Sequence, residues 1–321
     1  MMGPDTSRPL DASSVQRVAR HLVSDLQVHD CEAKQQTLAS EVFVLSTNHG
    51  QLVLKATRDA TPITRENAVY NLLQSTNIPA PTILGCDTSN VLFGRSYLLM
   101  TASRGNSVQD IFETLSTQNQ KDLFKDMGAT LAKIHQVKGS SYGEIALTPN
   151  ATTDNFSSWK SFHLALINQR LRIISDGSFH DLCGPVRKFF ENSQILDGVA
   201  ASPRLIHLDF HMKNVFVDSP TVVSEVIDWE SACFGDVEED LMRAELALFD
   251  GDHDLRSSFL AGYQNVGVLD AGYEERRDFY RLSRTLVHAG CLVSFGDKYV
   301  GEGLDQEIQT ARDQIARLIA A

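Results

Sequence analysis

Long hydrophobic runs are absent from this chain of 321 residues, although 42% of its residues are apolar. No stretch approaches the roughly 18 consecutive apolar residues of a membrane-spanning helix, and residues 1–8 lack the apolar run of a signal peptide. Basic residues are also scarce, because 29 Lys and Arg face 41 Asp and Glu, a formal net charge of −12. Such a charge argues against binding nucleic acid or anionic membranes through basic patches. We therefore expect a cytoplasmic protein with neither a nucleic acid nor a membrane as partner.

Cysteine is rare, and its five positions form no recognisable motif. They include no C-x-x-C pair and no nearby histidine at zinc-ligand spacing, so the common zinc-site patterns are excluded. We expect most of the thiols to be reduced and packed in the core, with a catalytic thiol as the alternative. The cysteines are Cys31, Cys86, Cys183, Cys233 and Cys291.

The first hundred residues carry short apolar runs of the kind that form strands. Val42–Leu45 and Leu52–Lys55 flank the turn-forming Asn48–Gly50, a pattern that predicts an antiparallel hairpin. Apolar residues at helical spacing indicate two helices in the same part of the chain. The further elements predicted here are helices at 13–27 and 64–76 and strands near 82–86 and 96–101.

The pattern changes after the glycine-containing stretch Ser103–Asn106, beyond which most periodicity is helical. A chain longer than the roughly 250 residues at which single cores stop growing is expected to form two domains or lobes. We therefore predict an α+β protein with two lobes around a cleft. Their boundaries are placed at 1–103 and 104–321.

One segment of the helical part combines short strands with polar residues at their ends. It reads His207-x-Asp209-x-x-x-x-Asn214 and continues, after two more apolar runs, to Asp228-Trp229-Glu230. Phosphoryl transfer requires a carboxylate beside the acceptor hydroxyl, and oxygen ligands that hold Mg²⁺ on the phosphates. Asp209, Asn214 and Asp228 at these spacings supply such groups, so the segment predicts a kinase catalytic loop and metal site.

Two further residues occur in the order that a kinase requires. Lys55 ends a predicted strand, where it would contact the phosphates, and Glu66 lies on the following helix as its ion-pair partner. The alternative is that these are a surface lysine and a solvated helix glutamate, with Asn214 a turn residue. The ordered set of five residues favours the kinase interpretation.

With these motifs the chain resembles the aminoglycoside phosphotransferase family, the small-molecule branch of the protein-kinase-like fold. The resemblance covers roughly residues 30–300. It implies a small antiparallel-sheet N-terminal lobe that binds nucleotide, and a larger, mostly helical C-terminal lobe with the catalytic loop and acceptor site. Protein kinases fit less well, because D-F-G and A-P-E are missing. Other segments that carry the resemblance are Arg65-Glu66 with 78–81, 131–135, 158–162, 228–232, Gly235-Asp236 and Asp240-Leu241.

The resemblance implies a role for each matching residue. Asp209 would be the catalytic base or hydroxyl-positioning group, and Asn214 and Asp228 would hold Mg²⁺. Adenine would be received by backbone groups of the strand and hinge over 98–103. The residues implied to bind ATP or GTP are Ser40, Lys55, Glu66, Met100, Thr101 and Ser103. The roles of His211, Trp159 and Glu230 stay open, although we expect His207 to brace the loop.

Two departures from the family pattern affect these expectations. The phosphate-covering loop, placed over 37–42, contains no glycine, and Glu41 brings a negative charge near the phosphates. A nucleotide-binding pseudokinase or regulatory module is therefore an alternative. Leu208 stands where the family commonly has Gly or Asn, and we expect its side chain to pack in the helical lobe.

Negative charge is concentrated near the predicted site, and it indicates which kind of acceptor the site would attract. Eleven acidic residues and one basic residue, Arg243, lie between Glu225 and Asp254. The negative electrostatic field of these acids predicts a small, cationic, hydroxyl-bearing acceptor. An aminoglycoside or related amino-sugar antibiotic is the first candidate, and phosphorylation of such a molecule implies antibiotic resistance. Sugars, choline-type alcohols and amino-acid-derived alcohols are the alternatives. Several of the acids are alternatively expected on solvated helix faces: Glu238, Glu239, Asp250, Asp252 and Asp254.

Overall fold

The computed structural model describes residues 9–36, 40–146, 153, 156–197, 199, 202–249 and 251–320. Its N-terminal part is built on a five-stranded antiparallel sheet in the order β1-β2-β3-β5-β4. The hairpin predicted from the apolar runs is confirmed, because β2 and β3 pair in register from Thr47↔Gly50 to Ser40↔Thr57. The strands are β1 Val28–Gln36, β2 Ser40–Thr47, β3 Gly50–Thr57, β4 Ile83–Asp87 and β5 Ser96–Thr101.

Helices cover both faces of this sheet because successive strand residues point to opposite sides. Helix α1 (Ala12–Leu22) is capped by Asp11, whose carboxylate accepts from Ser14 N at 2.7 Å, and it packs on the face that carries Tyr97 and Leu99. Helix α2 (Ala60–Leu73) buries its apolar residues with Leu98, from the other face. Side chains on that second face point toward the helical part of the chain.

The rest of the chain is mostly helical. Helices α4 and α8 pack with their backbones very close, because a Cβ at Gly128 would lie 2.0 Å from Phe259 O and one at Gly262 would lie 1.8 Å from Lys125 O. Helices α5, α6, α9 and α11 form a second buried cluster. The helices are α3 Val108–Ile111, α4 Thr117–Ile134, α5 Trp159–Ile174, α6 His180–Asn192, α7 Val237–Leu248, α8 His253–Gln264, α9 Tyr273–Phe295, α10 Asp297–Val300 and α11 Leu304–Ala320.

Two small antiparallel sheets interrupt the helices and position the motif residues. Their strand orders are β10-β9-β6 and β7-β11-β8. The segment between β8 and β9 contains Asp209 and Asn214, and Asp228 lies two residues after the end of β10. The strands are β6 Asn106–Ser107, β7 Gly143–Glu144, β8 Arg204–Ile206, β9 Val215–Ser219, β10 Val222–Val226 and β11 Cys233–Gly235.

The architecture confirms the predicted α+β class, with a small antiparallel sheet followed by a larger helical part. The division at residues 103 and 104 stays a prediction, since one buried cluster joins α2 and β5 to helices of the C-terminal part. Among the described residues, no helix combines the length and apolar character that crossing a membrane requires.

Candidate active site

The loop that carries Asp209 has a strained backbone held by a buried carboxylate. Leu208 has a φ of 64°, unusual for a side chain of this size, and Asp240 accepts hydrogen bonds from the N–H groups of His207 at 2.6 Å and Leu208 at 2.7 Å. Asp240 is fully buried and also contacts His135 Nε2 at 3.1 Å. In the sequence, Asp240 was only one of the residues that carry the family resemblance, with no role in the loop assigned to it. Its distance of more than thirty residues from the loop in sequence left no local signal.

His207 braces the same loop, as expected. Its Nε2 lies 3.0 Å from the carbonyl oxygen of Ile227, and its Nδ1 accepts from the backbone N–H of Asp209 at 3.2 Å. The ring packs against Trp229 at a centroid distance of 4.4 Å. Since Ile227 N also donates to Asn214 O at 2.9 Å, the Asp209 loop and the Asp228 segment are tied together through backbone groups.

Asp209 and Asn214 lie side by side at the mouth of this loop. Asn214 Nδ2 donates to the Asp209 carbonyl at 3.0 Å and to its Oδ2 at 3.1 Å. His211 Nε2 lies 3.4 Å from the same Oδ2. Burial opposes ionisation of Asp209, but hydrogen bonding and charge from His211 outweigh it, so the pKa of the carboxyl is below its usual value. Asp209 is therefore an ionised acceptor at neutral pH.

Lys55 forms the centre of a cluster of three carboxylates. Its Nζ lies 2.9 Å from Glu66 Oε2, 2.8 Å from Asp228 Oδ1 and 2.8 Å from Glu230 Oε2. Burial opposes charge on Lys55, yet these carboxylates hold the pKa of its ammonium well above the usual value. Glu66 is almost fully buried, and Tyr70 OH donates to its second oxygen at 3.2 Å. The sequence-predicted partners Lys55 and Glu66 are thus in contact.

The oxygen donors present here suit a hard divalent cation. The carboxylates of Glu66, Asp228 and Glu230 offer ligand atoms that lie within 4.8 Å of one another, although the ammonium of Lys55 already lies among them. Carboxylate and amide oxygens are the donors that Mg²⁺ takes from proteins, so the residue types fit a magnesium site. Asp228 has a left-handed backbone, with φ of 66°, which directs its side chain toward Lys55. The two predicted Mg²⁺ ligands have different partners. The side chain of Asn214 hydrogen-bonds to Asp209 and His211, whereas that of Asp228 contacts Lys55.

The family model of the APH phosphotransferase enzyme family matches residues 34–279 of this chain. The chain belongs to this family. Among curated proteins, it is 27% identical over 261 residues to a Synechocystis protein named probable ketoamine kinase, covering 76% of the chain and 74% of that protein. It is 25% identical over 196 residues to a protein of the same name from Enterococcus faecium, covering 58% of the chain and 66% of that protein.

Solved structures show the same fold as this phosphotransferase. A thermostable mutant of the aminoglycoside phosphotransferase APH(4)-Ia, in ternary complex with ADP and hygromycin B, aligns with a TM-score of 0.67 and 16% identity, covering 96% and 98% of the two chains. The ternary complex of APH(2")-IIa with streptomycin and ATP aligns with a TM-score of 0.65 and 16% identity, covering 96% and 99%. The predicted two-lobed, protein-kinase-like fold is therefore confirmed.

The remaining residues predicted to bind nucleotide lie at the start of β2 and around the end of β5. Ser40 begins β2 opposite Thr57, whereas the preceding residues 37–39 of the predicted phosphate loop lie outside the described part of the chain. Met100 and Thr101 end β5, and Ser103 follows it. The N–H of Thr101 donates to Thr82 O at 2.9 Å. Adenine bound at this hinge would therefore use other backbone groups.

Glu41 points away from Lys55, so its negative charge does not lie where the phosphates were predicted to bind. Its carboxylate accepts from Arg95 Nε at 2.6 Å and from the backbone N–H of Leu10 at 2.7 Å. It shares the α1 face of the sheet with Phe43, opposite to the face of Lys55. Alternation along the strand thus separates Glu41 from the Lys55 cluster.

Most of the acidic residues counted near the site are neutralised within the fold. The expectation that Glu238 and Glu239 lie on solvated helix faces is wrong, because both are buried and paired with arginines from the chain. Asp250 lies outside the described residues. The ion pairs formed by acids of this segment include Arg104–Glu225, Arg243–Glu239, Arg256–Glu245 and Arg276–Glu238.

Trp159 is a core residue of α5. It is 2% exposed, and its Nε1 donates to Tyr280 OH at 2.9 Å. Its ring also packs near Tyr142 and Phe162.

Glu230 pairs with Lys55, and its backbone carbonyl accepts from Arg65 Nη1 at 2.7 Å. These contacts place Trp159 in the core and Glu230 at the lysine cluster.

Proposed function

We propose that this chain transfers the γ-phosphoryl group of ATP or GTP, with Mg²⁺, to a hydroxyl of a small molecule. The observation that carries the proposal is the contact of Lys55 with both Glu66 and Asp228, beside a loop in which Asp209 is ionised. Membership of the phosphotransferase family supports the reaction class. The residues proposed for nucleotide binding are Ser40, Lys55, Glu66, Met100, Thr101 and Ser103.

The role proposed for each residue of the site follows from its contacts. Lys55, oriented by Glu66, would hold the phosphates as a fixed positive charge. Asn214 and Asp228, with Glu230 beside Asp228, would hold Mg²⁺. The cation, when bound, would neutralise charge on the phosphates and align the transferred group.

Asp209 would orient the acceptor hydroxyl and take its proton as the new bond to phosphorus forms. Its carboxylate is 40% exposed, so a hydroxyl can reach it, and Asn214 limits its rotation through the bond to Oδ2. Because His211 lowers its pKa, Asp209 acts more by orientation than by strong basicity. This matches phosphoryl transfer, in which positioning and electrostatics contribute most of the rate.

For the acceptor, we propose a ketoamine, a ketose that carries an amine, as the first class to test. The curated relatives described above are named probable ketoamine kinases, which supports this class. Aminoglycosides are the second candidate, supported by the fold shared with aminoglycoside phosphotransferases. The acid-rich segment supports them less than its sequence suggested, since its buried acids are already paired.

The test is acceptor-dependent release of ADP or GDP from purified protein, with fructosyl amines, aminoglycosides and simple sugars supplied in parallel. Wild-type protein should turn over with one class, and Asp228→Asn should lose at least about 100-fold in kcat. Asp278→Asn, an exposed acid on α9, is the matched control and should behave as wild type. Absence of Mg²⁺-dependent binding of ATP and GTP would reject the proposal.

A further inference from the structure

A cavity of about 380 Å³ opens beside the catalytic loop, between α5 and α9. Leu208, the residue before Asp209, forms part of its wall. Three arginines line the cavity, Arg65, Arg170 and Arg243, and Glu144 is the one acidic residue among its described lining. In a chain with a formal net charge of −12, the charged residues that line this largely apolar cavity are therefore mainly positive.

The charges around the cavity do not balance. Arg65 Nη2 lies 2.6 Å from Glu144, and Arg243 Nη2 lies 2.7 Å from the buried Glu239. Arg170 has no carboxylate within 4.0 Å among the described residues. Its Nη1 donates to the hydroxyl of Ser283 at 2.5 Å, and that hydroxyl donates to Glu239 Oε1 at 3.1 Å, so Arg170 reaches the carboxylate already paired with Arg243 only through Ser283.

A fourth arginine, Arg284, lies outside the cavity lining, where its charge acts on both Arg243 and Asp209. Arg284 follows Ser283 on α9, and no ion pair joins it to a described residue. Burial, followed by repulsion from Arg243, lowers the pKa of Arg284, and the same two causes lower the pKa of Arg170 to about 10. Both groups stay cationic at neutral pH. Burial also lowers the pKa of the neighbouring His163 to about 4, so that this histidine is neutral there.

Arg243 connects this charge to the reacting end of the site. Its Nη1 donates to the carbonyl of Leu208 at 3.2 Å, while its Nε is buried without a described partner. Arg243 is 8% exposed, and a buried donor with no acceptor is costly. Since that Nε has almost no accessible surface, the cavity offers an anion the guanidinium of Arg170 first, with Arg243 beside it in the lining.

We propose that the cavity beside Leu208 binds an anionic group, a carboxylate or a phosphate, on the acceptor, with Arg170 and Arg243 as its ligands and Arg284 as a further positive charge. The inference rests on the proposed function, because it assigns the acceptor class of the same site. Guanidinium groups match the planar carboxylate and the phosphate in geometry as well as charge. It adds an anion to the small, cationic, hydroxyl-bearing acceptor that the sequence predicted, since a molecule with both an amine and an anionic group would fit the charges of the cavity.

The test uses acceptor pairs that differ mainly in charge. Fructosylglycine is compared with fructosylglycinamide for the carboxylate, and fructose 6-phosphate with fructose for the phosphate. We expect the anionic member of one pair to have a kcat/KM at least about 10-fold above that of its neutral partner, the scale of a charge-assisted hydrogen bond. The pair that shows the preference identifies the anion.

Variants assign the preference to the cavity. Arg170→Gln and, separately, Arg284→Gln should reduce the ratio of anionic to neutral kcat/KM toward one, mainly through KM. Arg172→Gln, which removes an equal charge from an exposed position two residues along α5, should leave the ratio unchanged. The melting temperature of each variant shows whether it has folded.

The failures of the two proposals are distinguishable because Mg²⁺-dependent nucleotide binding is measured on the same samples by calorimetry. Turnover that is indifferent to the anion in both pairs, or a ratio that persists in both Arg170→Gln and Arg284→Gln, would overturn the anion site while leaving the kinase. A protein that binds nucleotide but neither binds nor phosphorylates any anionic probe would overturn it too. Loss of nucleotide binding itself would overturn the proposed function.

Discussion

Asp240 accepts a hydrogen bond from the backbone N–H of Leu208 at 2.7 Å, and this contact fixes the residue that precedes Asp209. A left-handed backbone at a leucine is unfavourable and persists only where its surroundings enforce it. One buried carboxylate on α7 thus determines the direction in which the Asp209 side chain leaves the loop.

Asp240→Asn should therefore impair catalysis more than nucleotide binding. An amide offers one acceptor oxygen where the carboxylate offers two, so one of the two loop N–H groups loses its partner. We expect the free energy of unfolding to fall by about 1–3 kcal/mol and kcat to fall at least about 10-fold, with the nucleotide Kd unchanged. Chemical denaturation, kinetics and calorimetry measure the three quantities. Equal kcat in mutant and wild type would show that the loop keeps its geometry without Asp240.

Substitutions at Lys55 and Glu66 should show that the pair affects the free energy of unfolding and the turnover in different ways. Lys55→Met leaves the buried Glu66 with a raised pKa and no cation, and we expect a loss of about 3 kcal/mol or more in the free energy of unfolding. The double variant Lys55→Met with Glu66→Gln should regain most of that stability but none of the turnover. Recovery of turnover in the double variant would mean that Lys55 does not hold the phosphates.

Asp236 should make stability depend on pH. Burial raises the pKa of its carboxyl to about 7, although the hydrogen bond from Tyr280 opposes the rise. Between about pH 4 and 7 the unfolded chain releases this proton and the folded chain retains it, so the carboxyl lowers stability as pH rises. Asp236→Asn keeps the acceptor for Tyr280 and cannot ionise. Its free energy of unfolding, relative to wild type, should increase by up to about 2 kcal/mol from pH 5 to 7. A difference that stays constant over this range would contradict the raised pKa.

The close contact of α4 and α8 gives a packing prediction. Gly262→Ala would place a methyl group 1.8 Å from a backbone carbonyl, so the helices must separate, at a cost of about 1–3 kcal/mol. Gly290→Ala on α9 is the matched control, because the nearest atom to its Cβ position outside its own helix is Ile173 Cγ2 at 3.7 Å, an ordinary contact. It should stabilise the protein by about 0.5–1 kcal/mol, since alanine favours helix. Both values come from thermal or chemical denaturation, and equal effects would contradict the described packing.

The sequence predicted the elements whose apolar residues repeat with a clear period. The β2–β3 hairpin and α2 belong to this group, whereas the segment from β8 to Asp228 was predicted from short apolar runs with polar residues at their ends. The order of Lys55, Glu66, Asp209, Asn214 and Asp228 predicted the family. Strand β1 has no such signal: it lies at the sheet edge, and the run Val28-His29-Asp30-Cys31-Glu32 is mostly polar.

Long-range pairing of charges could not be predicted. A count of acids along the chain treats Glu238 and Glu239 as negative surface, whereas tertiary structure brings Arg276 and Arg243 to them. The same limit hid the cavity near Leu208, because its arginines come from α2, α5 and α7. Electrostatic character depends on which elements meet, and periodicity within one element carries no information about that.

The most direct measurement of the central claim is phosphate transfer from γ-labelled ATP to a ketoamine or aminoglycoside acceptor by wild type and by Asp209→Asn. The asparagine keeps the size of Asp209 and its position beside Asn214 but removes the carboxylate. The account predicts labelled acceptor from wild type, with kcat at least about 100-fold lower in the variant and the nucleotide Kd unchanged. Wild-type kcat in Asp209→Asn, or loss of nucleotide binding with kcat preserved at saturation, would contradict it.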